Sequence, residues 1–526
     1  MNLLSPFHEH AKKNPHDQAL WVNGDTWTYQ QLAEQVRVVA GWVASTIDRP
    51  NPRIGILASR SHTAYVGILA ANYAGAAYVP LNVKAPHAYL TNILKAAHLD
   101  GLIVDRTGIE ILAQASLDAL PDAILSPFDT PDDAPRNALV IPPGQLALTQ
   151  PLANPAKGSP DDTAYLMFTS GTTGTPKGIT ISVKNIHHLL TTLQNRYQYT
   201  PQDRLSQAFE LTFDLSVFDI FMALRSGASL HVVPDHQMPM PAHFIQKQQL
   251  TSWFSVPSMI GMLKQMNLLR PGAFPSLQLS LFCGEALPEE SFRTWRQAAP
   301  DSRIENLYGP TEATVACLLQ DCDEPNAITP ERGIVSIGWP FEGLHAAIVD
   351  ARGIFLPQGA KGELTIHGPQ VASGYLDNQA LTEQRFPTLE HPQLGLSCWY
   401  LTGDLAYMDE EGRYHFLGRV DNQVQLRGYR VELDEVEHHL RKVSGCDNAV
   451  AIFVDHQELW AQEIIGVIQP SPLDSGTVRT QMAQHLPPYM VPKKIVVLDA
   501  LPHNTSGKID RKAIKQLLTK SQTKIP

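Results

Sequence analysis

At 526 residues, with 43% hydrophobic and 18% charged side chains, the chain is too long for one compact core and has ordinary globular composition, so it calls for a large multi-lobed domain and at least one more. A net charge of −11 without any basic cluster argues against nucleic acid or an anionic membrane surface as the partner. Five cysteines without zinc-type pairing favour free thiols in a reducing compartment, and no signal-type N-terminus or bilayer-length apolar run is present, so the expectation is a soluble, cytoplasmic protein.

In chain order, Tyr29, Leu32, Val36, Val39 and Trp42 recur three and four apart, which predicts a capped amphipathic helix from Thr26 to about Thr46. A strand beginning at Ile54, a helix over Tyr65 to Tyr73 and a strand from Gly75 to Leu81 follow, an order that predicts a parallel sheet. The Pro-, Asp- and Ala-rich stretch from about Leu125 to Asp162 reads as a surface connection. Val183 to Tyr197 reads as a helix, whose adjacent His187 and His188 do not suit a shared metal and are read as solvated. His8 and His10 are read the same way. Strands and helices alternate again from Phe209 to Leu319. From about Arg332 to Gly418 the texture changes to short strands between Gly and Asp turns, which predicts a small β-rich lobe. A mixed α/β segment with a charged helix from Glu432 follows Gly418, and the domain boundary is placed there.

Ahead of the helix at Val183, an apolar run from Tyr165 breaks into Thr169-Ser170-Gly171-Thr172-Thr173-Gly174, followed by Pro176-Lys177-Gly178. Glycines let backbone N–H groups converge on one point, hydroxyls add donors and the lysine adds positive charge, a combination suited to polyphosphate. The spacing differs from the common nucleotide loop, because no Ser or Thr follows Lys177. Four further stretches carry chemistry. Tyr308-Gly309-Pro310-Thr311-Glu312 joins a ring able to stack on a purine, a tight turn, a hydroxyl and a carboxylate suited to Mg²⁺. Thr402-Gly403-Asp404 ends a strand with an acceptor-only group suited to ribose hydroxyls. The stretch from Asp421 to Leu433 sets glycine and charge where a pivot is useful. Ser506-Gly507-Lys508 puts a lysine on a glycine turn, able to deliver charge to a phosphate.

Taken together and in this order, the five segments resemble the adenylate-forming superfamily, in particular the adenylation domains of nonribosomal peptide synthesis, over nearly the whole chain. The resemblance implies a large N-terminal α/β domain, residues 1–420, of two parallel-type αβ lobes plus a small β-barrel lobe at about 332–418. A small mobile α+β C-terminal domain, residues 421–526, would swing about a hinge at Asp421. It implies that Thr169, Ser170, Gly171, Thr172, Thr173, Gly174 and Lys177 hold the ATP phosphates, while Gly284, Glu285, Ala286, Tyr308 and Gly309 line adenine. Thr311 would contact the α-phosphate, Glu312 would bind Mg²⁺, Asp404 and Arg419 would hold the ribose side, and Lys508 would act in the first half-reaction. Two positions depart from the common pattern: Gln425 and Leu401 stand where many relatives carry lysine and arginine.

Substrate class is carried by Asp214, which aligns with the aspartate that pairs with the ammonium group in relatives using α-amino acids. A buried carboxylate without such a partner would be costly. Leu215, Phe218, Phe254, Leu281, Cys283, Leu307, Val315 and Ala316 map to the remaining pocket positions; none is charged and three are bulky, which implies a compact apolar amino acid. Cys283 has no histidine placed by sequence to activate it and is read as pocket lining. The pocket set resembles prolyl ligases, and the surroundings of Cys283 resemble D-alanine:carrier ligases, so L-proline is favoured with alanine or D-alanine next. No carrier module follows Lys508, which implies a free-standing enzyme, monomeric or weakly dimeric, that loads the phosphopantetheine thiol of a separate carrier protein. The alternatives are an acyl-CoA or an aryl or β-amino-acid ligase of the same superfamily, disfavoured by Asp214, and a non-catalytic nucleotide-binding scaffold.

Overall fold

The computed structural model describes residues 1–114, 120–129, 140–171, 176–446, 448–456, 461–502 and 509–522. The chain divides into two compact units, one of residues 1–83, 94–168 and 178–420 and one of residues 84–93, 169–177 and 421–526.

The larger unit is built on two extended sheets. In the seven-stranded sheet Arg53–Leu57 lies between Ala77–Leu81 and Gly101–Val104, parallel to both, as strand–helix–strand order demands. The helix Tyr29–Thr46 starts where the sequence signals it: Thr28 and Gln31 form a reciprocal capping box, and Leu32, Val36 and Val39 point into the core. The stretch after Leu125 proves to be more than a connection. Val140–Ile141, a β-branched pair, adds the edge strand by pairing in parallel with Ile124 and Leu125. The nine-stranded sheet carries four consecutive parallel neighbours, Arg204–Gln207, Ser252–Ser255, Leu279–Phe282 and Arg303–Tyr308, then turns antiparallel at Leu318–Asp321. Candidate site residues lie at or just beyond the C-terminal ends of these strands, the usual ligand side of a parallel sheet. The β-rich lobe rests on a four-stranded antiparallel sheet of His345–Val349, Gly362–His367, Tyr400–Met408 and Tyr414–Arg419.

The smaller unit contains the hairpin Gln423–Leu426/Tyr429–Glu432, the helix Leu433–Ser444, and a three-stranded sheet whose long pair, Ala449–His456 and Ala461–Ile468, is antiparallel. Its own core gathers Val431, Val436, Leu440, Ile464, Val478 and Met482.

Three of the histidines read as solvated have protein partners, with His8 buried and His10 and His188 half-buried. His8 is buried against the Tyr73 hydroxyl at 2.8 Å, His10 Nε2 meets Arg225 O at 3.1 Å, and His188 Nδ1 donates to the buried Gln370. Tertiary packing supplies the partners that a local reading of the sequence assigns to water. All five cysteines are unbonded, and among the described residues no helix is long and apolar enough to cross a membrane.

Candidate active site

Arg303–Tyr308 delivers Tyr308 to the end of its strand, and the chain then turns through Gly309 and Pro310 into a single 3₁₀ turn, Thr311–Ala313. Gly309 is needed there, because a Cβ would lie 2.5 Å from Ala316 Cα and 2.8 Å from Val315 O. Thr314 and Val315 follow with φ of 58° and 67°. Two successive non-glycine residues in the left-handed region, both β-branched, mark a turn that its surroundings hold in a strained shape. Glu312 is fully buried within it, and its Oε1 accepts a hydrogen bond from the Tyr375 hydroxyl at 2.7 Å.

A second group forms at Asp404. The Tyr308 hydroxyl donates to Asp404 Oδ2, and Arg419 Nη1 donates to Asp404 Oδ1 at 2.8 Å and to Thr402 O at 3.1 Å. Burial, with the Asp404 charge next in order, pushes the Tyr308 phenol well above its usual range, so it remains a donor. The sequence named each of Tyr308, Asp404 and Arg419; their direct contact comes from the pairing of Asp404 with Arg419 across neighbouring strands.

The candidate substrate-pocket positions are buried as well. Leu215, Phe218, Phe254, Leu281, Cys283, Leu307, Val315 and Ala316 are all at most 3% exposed and share one core cluster. Phe254 packs edge-on against Phe218 and Phe209, with ring centroids 5.3 and 4.9 Å apart. Asp214 stands half-buried at the N-terminus of the helix Leu215–Ser226. Burial raises the thiol of Cys283 and the phenols of Tyr78 and Tyr165, and the Asp214 charge raises each further. A thiol held so firmly in its neutral form is no nucleophile. Gly284, Glu285 and Ala286 follow directly, with Glu285 Oε2 accepting the Ser258 N–H at 2.8 Å.

The glycine-rich loop belongs to the smaller unit. Ser170 Oγ donates to Arg430 O at 2.9 Å and accepts the Glu432 N–H at 3.1 Å; Gly171 N donates to Glu435 Oε2 at 3.1 Å; Lys177 Nζ pairs with Glu432 Oε1 at 3.1 Å. These carboxylate partners were missed by sequence reasoning, although both stand in the charged helix segment it singled out. Burial first, then Glu432, lifts the Glu435 carboxyl to about 7. Thr169 ends the strand Thr163–Thr169. Asp421 is exposed and accepts the Gln423 N–H at 3.2 Å. Thr172, Thr173, Gly174 and Lys508 lie outside the described residues. Among the described residues no group of three or more His, Cys, Asp or Glu side chains is arranged to hold a metal ion; Glu312 is a single carboxylate, whose remaining ligands would come from a nucleotide's phosphates and water, as Mg²⁺ prefers.

Comparison with known proteins gives the family and the fold. The profile of AMP-binding enzymes matches residues 7–376, and that of the AMP-binding enzyme C-terminal domain matches residues 435–508. The D-alanine–D-alanyl carrier protein ligase of Bacillus velezensis is 30% identical over 541 aligned residues, covering 98% of this chain and 99% of the relative. Delta-poly-L-ornithine synthetase of Acinetobacter baumannii is 31% identical, but the alignment spans 98% of this chain and only 36% of that longer protein. For the chondramide synthase of Chondromyces crocatus the share is 12%. Among solved structures, the Vibrio cholerae adenylation domain AlmE in complex with glycyl-adenosine-5'-phosphate superposes with a TM-score of 0.85 at 31% identity, covering 98% of both chains.

Proposed function

The chain belongs to the AMP-binding enzyme family, and we propose that within it the protein adenylates a small apolar amino acid, L-proline first and alanine or D-alanine next, then transfers it to the phosphopantetheine thiol of a separate carrier protein. The observation that carries this reading is Asp214, half-buried at a helix N-terminus, while Leu215, Phe218, Phe254, Leu281, Cys283, Leu307, Val315 and Ala316 are uncharged and buried. One carboxylate matches one ammonium group, and the apolar walls leave a charged side chain without a partner. The Phe218–Phe254 pair favours a compact ring or methyl group over a long chain. The similar ligase acts on D-alanine and the similar domain holds a glycyl adenylate, both small.

The chemistry needs no side-chain nucleophile. In the first step the substrate carboxylate oxygen bonds to the α-phosphorus of ATP, the bond from that phosphorus to the bridging oxygen breaks, and pyrophosphate leaves. In the second step the carrier thiol, losing its proton, attacks the carbonyl and AMP departs. The chain's contribution is position and charge. Asp214 orients the ammonium group; Thr311 donates to the α-phosphate; Tyr308 stacks on adenine; Asp404 accepts from the ribose hydroxyls with Arg419 holding it in place; the Thr169–Lys177 loop grips the departing pyrophosphate; Lys508 neutralises charge as the new bond forms. Mg²⁺, held at Glu312, would supply further neutralisation of phosphate charge. A hinge at Asp421, as the resemblance implies, would let residues 421–526 exchange faces between the two steps.

The test is amino-acid-dependent ATP–pyrophosphate exchange across L-proline, D- and L-alanine, glycine, larger amino acids, aryl acids and fatty acids. Proline or alanine should stimulate exchange most strongly. Stimulation by aryl or fatty acids alone would establish the alternative acyl or aryl ligase, and none by any acid would sink the enzymatic reading.

A further inference from the structure

Residues 369–376, between the β-rich lobe and the turn bearing Glu312, form a clamp that the reaction scheme above does not use. Gln370 is fully buried, and its Nε2 donates to three carbonyls of the strained turn, Ala316 O at 2.7 Å and Ala313 O and Thr314 O at 3.3 Å. The Thr314 hydroxyl returns a bond to Gln370 O at 2.6 Å. Gln370 is itself oriented by His188, whose Nδ1 donates to Oε1 at 3.0 Å, and the flanking Pro369 and Val371 carbonyls accept from Asn185 Nδ2. Next in the chain, Ala372 N donates to the backbone oxygen of Glu312 at 2.8 Å, and Tyr375 reaches the carboxylate of the same residue. The turn is thus held from one side through four of its residues, by backbone and side chain together.

Tyr375 is fixed in its turn. Its N–H donates to Thr382 Oγ1 at 2.9 Å, its ring packs edge-on against Phe386 at 5.7 Å, and Leu376 N donates to Gly178 O at 2.8 Å. Gly374 has a φ of 140°, and a Cβ there would stand 2.4 Å from Thr382 Cγ2, so the approach to Thr382 requires glycine. A phenol this constrained, donating to one oxygen of a buried carboxylate, fixes the rotation of that carboxylate.

We propose that Tyr375 is a positioning residue for adenylation: it holds the Glu312 carboxylate in the orientation that receives the nucleotide-bound divalent cation, with the Gln370 clamp fixing the turn beneath it. This rests on the assignment of Glu312 as the cation's protein ligand.

The experiment is Tyr375→Phe in the full chain, which removes one oxygen and keeps the ring packing. Calorimetric titration with ATP, in Mg²⁺ and in excess EDTA, reads the metal-dependent gain in nucleotide affinity without any turnover. Tyr375→Phe should cut that gain by roughly 10-fold, the scale of one hydrogen bond to a charged group, and leave metal-free ATP binding unchanged. In a Glu312→Gln background the same substitution should change little, because its effect passes through the carboxylate. An unchanged metal-dependent gain in Tyr375→Phe, whether or not its melting temperature falls, overturns the proposal, as does an equal loss in both backgrounds. Failure of every amino acid to stimulate exchange in the wild type would instead refute the proposed function, and the titration reads separately from that outcome.

Discussion

Glu435→Gln is the substitution whose consequence the structure specifies most fully. Glu435 is fully buried, with Oε2 accepting from Gly171 N and Oε1 without a hydrogen-bond partner among the described residues. Burial first and Glu432 second raise its carboxyl from 4.5 to about 7, against the opposing pull of the Gly171 N–H and Lys177. The folded state therefore holds this proton more tightly than the unfolded chain. Its stabilising effect is full below pH 4.5 and is lost as pH rises through 7, a change of roughly 3 kcal/mol. His439 on the same helix acts in the opposite sense: burial, then His438, His485 and Lys442, push it down to about 4, so it loses stability as pH falls. The two oppose each other in the wild type, and the difference between wild type and Glu435→Gln isolates the first. Glutamine stays neutral and still accepts from Gly171 N. The variant should match the wild type near pH 4.5 and exceed it by roughly 3 kcal/mol above pH 7, read by urea denaturation and by hydrogen-exchange protection in the helix Leu433–Ser444. A difference that stays constant across this range would refute the argument that burial sets the charge state of Glu435.

Asp214→Ala should abolish amino-acid-dependent exchange by about 100-fold or more while ATP affinity is retained, since the lost contact is one charged pair to the substrate; calorimetry with ATP alone checks the second half. Phe254→Ala removes a ring that Phe218 and Phe209 pack against, so it should cost about 3–5 kcal/mol in denaturation and shift preference toward larger amino acids. Asp404→Asn leaves Arg419 facing a neutral group and should raise the ATP KM by about 10-fold with little change in the amino acid KM. Lys508→Ala should lose adenylation while preformed aminoacyl adenylate is still passed to carrier thiol; equal loss of both steps, followed by single-turnover transfer assays, would remove Lys508 from its assigned role.

Helices and strands were legible wherever the pattern was local. The Thr28–Gln31 capping box and the three-and-four spacing of Leu32, Val36 and Val39 define one helix end and face with no help from distant residues. Glycine-rich and aromatic motifs were equally plain, because a turn such as Tyr308-Gly309-Pro310 needs those residue types in that order. The edge strand Val140–Ile141 was not legible: two residues carry no period, and only the open edge beside Ile124 and Leu125 makes them a strand.

What the sequence alone determined was the set of chemical groups, since a run of hydroxyls and glycines, an acceptor carboxylate and a lysine beside a glycine are properties of short segments. What only the tertiary structure decided was the partner of each group. His188 became the support of Gln370, Tyr375 the holder of Glu312, and Glu432 and Glu435 the partners of Lys177 and Gly171. Contacts between residues 60 to more than 250 positions apart leave no trace in local spacing; they exist because burial forces each polar atom to find a partner, and the topology settles which one is within reach.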